Sequence, residues 1–356
     1  MTAYVTYWYK SARLAIYSLL EQIRLKSGKQ EVLLPAYHCK SIEQAIESAG
    51  CVAKFYRVHW NLEPDIESVE HLLGPETSAI VGIHYFGFRN NFRDLTNLCR
   101  FSNIPFITDA AHIDLAGGVN LSEHSDWQVF CPRKFYPIFD GGGLRFQPDA
   151  GYSPLEPIGC LKDEFRALNF LMEGICGKHT AVNSSPRPFD FMRDFRTIQS
   201  YVSPRSRAPD VSDDGYVDSR FDFHGRIGMT NISRFVLKSM SISKAHQKRR
   251  SNFKFLDHEI HGMPRIRPLP VRLQGDDVPY VYPAVLETPE FDHAEIRKTG
   301  IGILRWEDFS ESECMVSDSY RDSLIQIPCH QYISRKSIRT LVECLSDVLR
   351  TGKKYA

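Results

Sequence analysis

The sequence predicts an α/β protein: a large three-layer domain with a mainly parallel sheet, then a smaller C-terminal α+β domain. Three observations carry that expectation. Short apolar runs alternate with helical stretches up to about residue 110, the pattern of parallel strands joined by helical crossovers. The runs AIVGI and PFIT have few polar interruptions, as strands covered on both faces do. At 356 residues the chain is also long enough for two domains of about 100–200 residues each.

Taken in order, MTAYVTYWYK reads as a strand or loop leading into a helix. Lys10 and Arg13 interrupt its apolar character and no small-residue cleavage site follows, so it is not read as a signal peptide. From Ser11 to Leu25, Leu14, Ile16, Tyr17, Leu19, Leu20 and Ile23 recur at helical spacing, with Ser11 where an N-cap belongs. EVLLPAY then reads as a strand, SIEQAIESAG as a helix ending in Gly50, and CVAKFYRV as a strand. DIESVEHLL (helix), SAIVGIHYF (strand), FRDLTNLCRF (helix) and IPFITDAA (strand) continue the alternation.

The rhythm breaks after about residue 148. Residues 151–228 are rich in Pro, Gly, Ser, Arg and Asp and read as a long, irregular and partly mobile insertion. A helical run resumes at ISRFVLKSMSISKAHQKRRSNFKFLDHEI. PYVYPAVLE (strand), FDHAEIRKTG (helix ending in Gly300), ILRW and LIQIPCH (strands) and SIRTLVECLSDVLR (helix) close the chain. The expected boundaries are residues 1–240 for the large domain and 241–356 for the small one. No internal repeat is visible.

Forty-four basic against 43 acidic residues leave a net charge of +1, which argues against nucleic acid as the main partner. The nine cysteines are scattered, with no C-x-x-C pair, so a zinc site or disulfide framework is not expected and a reducing cytoplasm is the simplest setting. No stretch approaches about 18 uncharged apolar residues, so no membrane span is expected.

Two segments carry chemistry. In FITDAAH an apolar strand ends in Asp109, with His112 three residues later. Ligands of open α/β sheets bind outside the carboxyl ends of the strands, so a carboxylate delivered there is informative, although it could equally cap the next turn. In SDWQVFCPRKFYPIFDGGGLRF, Lys134 lies between an apolar run and Gly141, Gly142 and Gly143. Alone, that pattern suits a surface lysine before a glycine hairpin. The glycines match neither G-x-G-x-x-G nor a P-loop. Together, a lysine amine able to form a Schiff base and a carboxylate able to pair with a pyridinium nitrogen point to pyridoxal 5'-phosphate (PLP), with the released lysine as proton carrier.

These segments carry a resemblance. KSARLAIYSLL, LPAYHCKSIEQAIESAG, GIHYFG, TDAAH and FCPRKFYPIFDGGGL occur in the order and spacing of the DegT/DnrJ/StrS sugar aminotransferases, members of the fold-type I, aspartate aminotransferase-like PLP enzymes. The segments GIGILRW and LIQIPCHQ resemble the family's small-domain motifs. The resemblance implies that Lys134 holds PLP, Asp109 pairs with the pyridinium nitrogen, and His112 bonds the phenolic oxygen. It further implies that Ser11 and Ala12, with Arg13 beside them, receive the phosphate at a helix N-terminus. Asn231 sits where relatives send a residue across a dimer interface.

This chain departs from the pattern where relatives carry a Ser or Thr before the lysine. Val129, Phe130, Cys131 and Pro132 stand there, so Cys131 is the replacement or the phosphate leans on Arg133 and the first helix. The residue covering the ring falls among Tyr37–Cys39, left open between them.

Other residues keep two readings. His84 and His330 are pocket or core histidines. Trp306 and Arg305 are pocket-mouth residues, or Trp306 is small-domain core. KAHQKRR (244–250) is a solvated helix face before it is an anion site. Arg187, Arg193, Arg196, Arg205 and Arg207 of the insertion could meet a diphosphate or belong to a soluble loop.

The resemblance implies a homodimer with active sites at the interface, moving an amino group from an amino acid, glutamate first, to a keto sugar that is nucleotide-linked. A non-sugar ketone or aldehyde as acceptor, and a catalytically silent relative that binds a partner, are the alternatives. Both Lys134 and Asp109 being present counts against the silent one. A sugar dehydratase is disfavoured because relatives of that kind replace the lysine.

Overall fold

The computed structural model describes residues 4–121, 125–148, 151–152, 154–176, 227–299 and 302–351. The arginines singled out between 187 and 207 lie outside the described residues. The first half of the chain builds one seven-stranded sheet from β1 (Val5–Tyr9), β2 (Glu31–Pro35), β3 (Val52–Tyr56), β4 (Thr77–Ile83), β5 (Phe106–Ala110), β6 (Trp127–Phe130) and β7 (Gly142–Phe146). Their order is β1-β7-β6-β5-β4-β2-β3. Strands β2 to β6 run parallel, β7 is antiparallel to β6, and β1 is antiparallel to β7, so β7 alone opposes the others. Every residue of β4 and β5 is buried, as their unbroken apolar runs require.

Helices α1 (Ala12–Ser27), α2 (Lys40–Ser48), α3 (Ile66–Leu72) and α4 (Arg93–Phe101) make the outer layers. The β2-to-β3 crossover steps one way along the sheet, and the next two step back. Right-handed crossovers therefore put α2 on one face and α3 and α4 on the other. The contacts agree, α1 packing on α2 and α3 on α4. This is the three-layer, mainly parallel arrangement expected from the alternation. Helix α1 begins at Ser11, whose hydroxyl accepts the Leu14 N–H at 3.3 Å. It stops at Gly28, whose φ of 73° places it in the left-handed region that glycine enters freely.

Beyond residue 148 the expectations need correcting. The segment expected to be irregular contains α5 (Leu161–Cys176). The single helical run after residue 231 is two helices, α6 (Asn231–Ser239) and α7 (Ile242–Ile260). They part at Met240, in extended conformation, where the Ser239 hydroxyl donates back to the Phe235 carbonyl and competes with helix continuation.

Strands β8 (Ile266–Pro268), β9 (Val281–Leu286) and β10 (Leu324–Pro328) form a second, antiparallel sheet in the order β10-β9-β8. Helices α8 (Pro289–Thr299), α9 (Met315–Ser323) and α10 (Arg335–Thr351) accompany it. ILRW is not a strand: Leu304 alone makes a bridge, to Gln326, while Arg305 donates to the Asp322 carbonyl. Among the described residues no helix is long and apolar enough to cross a membrane.

Candidate active site

Asp109 is the fourth residue of β5, paired in register with Val129 of β6 and Ile83 of β4. The parallel sheet thus delivers it to the carboxyl edge, and the chain leaving β6 turns there through a short 3-10 segment, Pro132–Lys134. Asp109 and Lys134 therefore come from the same end of adjacent strands. Asp109 is buried. Its Oδ1 accepts the Ala111 N–H at 2.8 Å, and among the described residues no hydrogen bond reaches Oδ2. Burial raises its pKa, against the opposing pull of Lys134, the Ala111 amide and His84.

Lys134 is half-buried. Its main chain is fixed by N–H donation to the Cys131 carbonyl at 3.1 Å, but among the described residues its Nζ has no hydrogen-bond acceptor and no ion pair. Instead the ammonium faces the Tyr280 ring, 5.5 Å from the centroid. Burial disfavours its charge, yet the surrounding acidic groups of Tyr280, Cys131, Cys39 and Asp109 prevail and raise the pKa above the usual lysine value. An amine at the carboxyl edge of the sheet, facing an aromatic ring and bound to no acceptor among the described residues, is placed where ligands of open α/β sheets bind.

His112 closes the third side. Its Nδ1 accepts the Phe86 N–H at 3.0 Å, so the ring proton resides on Nε2 and the ring is a donor there. Burial, with the Lys134 charge as a second cause, lowers its pKa well below the usual histidine value and keeps it neutral. Its ring stacks on Tyr280 at 4.6 Å and lies 5.5 Å from Trp306. The loop between β4 and α4 makes this possible. Phe86 has a positive φ of 60°, rare for a bulky residue, and a Cβ on the following Gly87 would sit 2.3 Å from the Val278 carbonyl oxygen. That close approach lets Tyr280 N–H donate to the Phe86 carbonyl at 2.8 Å, so one loop sets both His112 and Tyr280.

The glycines after Lys134 serve packing. A Cβ on Gly142 would lie 2.0 Å from the Ser11 carbonyl carbon and 2.1 Å from the Ala12 nitrogen; one on Gly143 would lie 2.0 Å from the Phe130 ring. Strand β7 thereby passes directly against the start of α1. Ser11 is buried and Ala12 and Arg13 are half-buried in that first turn, where helical N–H groups lack intrahelical acceptors. Cys131 is buried beside it, with its Sγ 3.7 Å from the Gly141 carbonyl oxygen, so the thiol is committed to the main chain. Arg133, half-buried, stands two residues further on.

The remaining sequence candidates separate. Trp306 joins the cluster. Tyr37 is fully buried and its ring is spent on Trp306 at 5.2 Å, Phe309 at 5.5 Å and Tyr320 at 5.9 Å. His38 stacks on Phe55, and Cys39 caps α2; of the three, only Cys39 acts electrostatically on Lys134. His84 is fully buried with Nδ1 accepting the Asn90 N–H and its ring on Phe92. These contacts suit the core reading, while its main-chain bond to the Asp109 carbonyl and its electrostatic effect on Asp109 keep it beside the site. Asn231 is exposed at the first turn of α6, its N–H on Glu164, and meets none of the groups around Lys134. His330 is buried, its pKa pushed down to about 3 by burial and by Arg249. Within KAHQKRR, Arg249 is buried rather than solvated. Tyr280, Phe86 and Arg249 were missed as site residues. The signals in the sequence were the aromatics of GIHYFG and PYVY and the basic run KAHQKRR, and none of them says what it packs against. Among the described residues no cluster of His, Cys, Asp or Glu could hold a metal ion.

Residues 9–124 match the sequence model of the DegT/DnrJ/EryC1/StrS aminotransferase family. No curated protein sequence matches the chain. Among solved structures, Helicobacter pylori PseC, an aminotransferase involved in the biosynthesis of pseudoaminic acid, superposes with a TM-score of 0.67 at 14% identity, covering 97% of this chain and 87% of that one. The sugar aminotransferase CalS13 from Micromonospora echinospora gives 0.63 at 14% identity, covering 96% and 87%. The 3-amino-5-hydroxybenzoic acid synthase gives 0.63 at 15% identity, covering 97% and 86%. At such identities the superpositions establish the fold. Over residues 9–124 the chain is therefore similar to the DegT/DnrJ/EryC1/StrS aminotransferase family, and its fold is the one shared by the aminotransferases on which it superposes.

Proposed function

We propose that this protein is a PLP-dependent aminotransferase that moves an amino group from an amino-acid donor, glutamate being the first to test, to a keto group on a nucleotide-linked sugar. The observation that carries the reading is the Lys134 amine, without an acceptor among the described residues, held at the strand edge with the buried carboxylate of Asp109. The residues present fit PLP. Asp109 Oδ2 is open to a cationic N–H, His112 offers Nε2–H, and the first turn of α1 at Ser11, Ala12 and Arg13 presents backbone donors suited to a phosphate. Cys39 and Cys131 lie close enough to Lys134 to act on its charge, and Arg133 precedes it in the chain.

When bound, PLP supplies a carbonyl that condenses with amines and a ring that delocalises the electron pair left on carbon when a proton departs. The chain's own groups do the rest. Lys134 Nζ would hold the cofactor and would serve as the amine that accepts and gives back the proton that moves in amino transfer. Asp109 would supply a negative charge to favour the protonated ring nitrogen, and its burial would strengthen that interaction. Neutral His112 donates without adding a competing positive charge. Trp306 and the Tyr280 ring exclude water from this side.

A homodimer belongs to the same reading, with Asn231 facing the partner. The apolar stripe Leu161, Phe165, Leu168 and Met172 along α5, with Phe235 on α6, is exposed and suits burial against a second copy. A second acceptor class, a non-sugar ketone, is favoured by the equal fit to the 3-amino-5-hydroxybenzoic acid synthase.

The test is the visible spectrum of the purified chain with added PLP. The reading expects a band that glutamate bleaches and that Lys134→Ala abolishes. Adding keto sugars or simple ketones to the bleached protein should bring it back. A band that survives Lys134→Ala sinks the lysine assignment; recovery with non-sugar ketones alone sinks the sugar half.

A further inference from the structure

The chemistry above makes no use of Arg249. Arg249, on α7, is 1% exposed, and none of its hydrogen bonds goes to a carboxylate. Its Nε donates to Gln331 Oε1 at 2.7 Å. Its Nη1 donates to the carbonyls of Pro279 at 3.1 Å and Tyr280 at 3.0 Å, and its Nη2 to those of Lys134 at 3.1 Å and Phe135 at 3.5 Å. Gln331 closes the bracket by donating Nε2–H to the Phe135 carbonyl at 2.7 Å, and the Phe135 ring lies 4.8 Å from the guanidinium carbon.

A buried cation whose hydrogen bonds all go to neutral oxygens, with the Asp114 carboxylate acting on it without a direct bond, is a costly way to gain stability, since burying a charge without a bonded counter-ion is unfavourable. What a guanidinium does that an apolar side chain or an ammonium cannot is hold several acceptors in one plane at fixed separation. Here those acceptors belong to two segments distant in sequence. One carries Lys134; the other carries Tyr280, whose ring the Lys134 amine faces and on which His112 stacks.

We infer that Arg249 is a positioning residue for the reaction: it ties the main chain of Lys134 to that of Tyr280, so that the amine and the ring facing it keep one geometry while the proton moves. This rests on the reading of Lys134 as the cofactor lysine. Arg249→Lys keeps the charge but loses the planar fork, and Gln331→Leu loosens the bracket from outside while leaving Arg249 in place.

The experiment uses the full chain loaded with PLP, and follows single-turnover bleaching by glutamate across donor concentrations, visible circular dichroism of the bound cofactor and thermal unfolding. Arg249→Lys is expected to retain PLP on Lys134, as shown by borohydride fixation and peptide mapping. Its saturating rate should fall by about tenfold to a hundredfold with half-saturating donor changed by less than about twofold. Gln331→Leu should lower the rate by roughly threefold to tenfold, and both should alter the dichroism. Wild-type rate and dichroism in both variants, whatever happens to the thermal midpoint, would overturn the inference and leave Arg249 a staple of the fold. Should the arginine variant not fold, Gln331→Leu decides alone. Failure of the underlying reading looks different: wild type gains no visible band with PLP, or Lys134→Ala keeps it.

Discussion

Glu43 offers the sharpest check on the electrostatics. It is 3% exposed on α2, and four polar groups converge on its carboxylate: the His38 ring at Nε2 (3.2 Å), Lys40 Nζ at 2.9 Å, and the main-chain N–H (3.3 Å) and hydroxyl of Ser310. Burial alone would raise its pKa, but the bonds from His38, Ser310 and Lys40 outweigh it and bring the value from 4.5 to about 2. A carboxyl whose folded pKa is depressed contributes stability above its unfolded pKa and loses it as pH falls through the folded one. Each pH unit between the unfolded and folded values is worth about 1.4 kcal/mol, so the contribution is about 3 kcal/mol at pH 7 and drains away between roughly pH 4.5 and pH 2. Glu43→Gln keeps the shape and removes the charge. Urea unfolding of both proteins, followed by tryptophan fluorescence, should show the variant less stable by about 3 kcal/mol at pH 7 and by less than half of that near pH 3. A gap of the same size at both pH values would refute the reasoning, because packing loss does not titrate. A gap under about 1 kcal/mol at pH 7 would mean that desolvation cancels the bonds.

Two further outcomes follow from the site. Asp109→Asn should still take up PLP but slow single-turnover bleaching by glutamate on the order of 10²–10³-fold, since an amide cannot hold the negative charge; a loss below about tenfold would remove Asp109 from its role. Gly142→Ala forces a methyl onto the Ser11–Ala12 main chain, and should destabilise the fold by more than about 2 kcal/mol and weaken PLP binding together. An unchanged thermal midpoint would contradict the close approach of β7 to α1.

The parallel sheet was legible because its strands are buried on both faces and so read as unbroken apolar runs, from EVLLP to FITDA. Asp109 and Lys134 stood out because strand ends and glycine runs are local signals, and His112 through the resemblance carried by TDAAH. What stayed hidden depends on partners far away in the chain. Helix α9 buries Val316, Ser317, Tyr320 and Ser323, and two of those four are serines, so its helical stripe does not show as apolar periodicity. The Gly142 and Gly143 requirement comes from Ser11 and Phe130, which no local pattern announces. Arg249 sits in a basic run that composition assigns to a solvated face, and it is buried by segments far away in the chain, at residues 134–135, 279–280 and 331.

Two buried charges of opposite sign now take on related meaning. Glu43, beside the end of β2, receives Ser310 from the segment before α9; Arg249, from α7, receives the carbonyls of Lys134 and Phe135 from the segment after β6. Each spans between the large sheet's carboxyl edge and chain that follows residue 241, and Trp306 and Tyr280 reach the cluster around His112 from that same later chain. The carboxyl edge of the sheet therefore does not hold a finished site by itself. Its Asp109 and Lys134 come from the sheet, but the rings that face His112 and the donors that fix Lys134's main chain come from residues 249, 280, 306 and 331. A substitution that loosens either charged tie should consequently disturb the amine's geometry without touching any atom of the sheet, which is why kinetics at Arg249 and stability at Glu43 probe one construction from opposite sides.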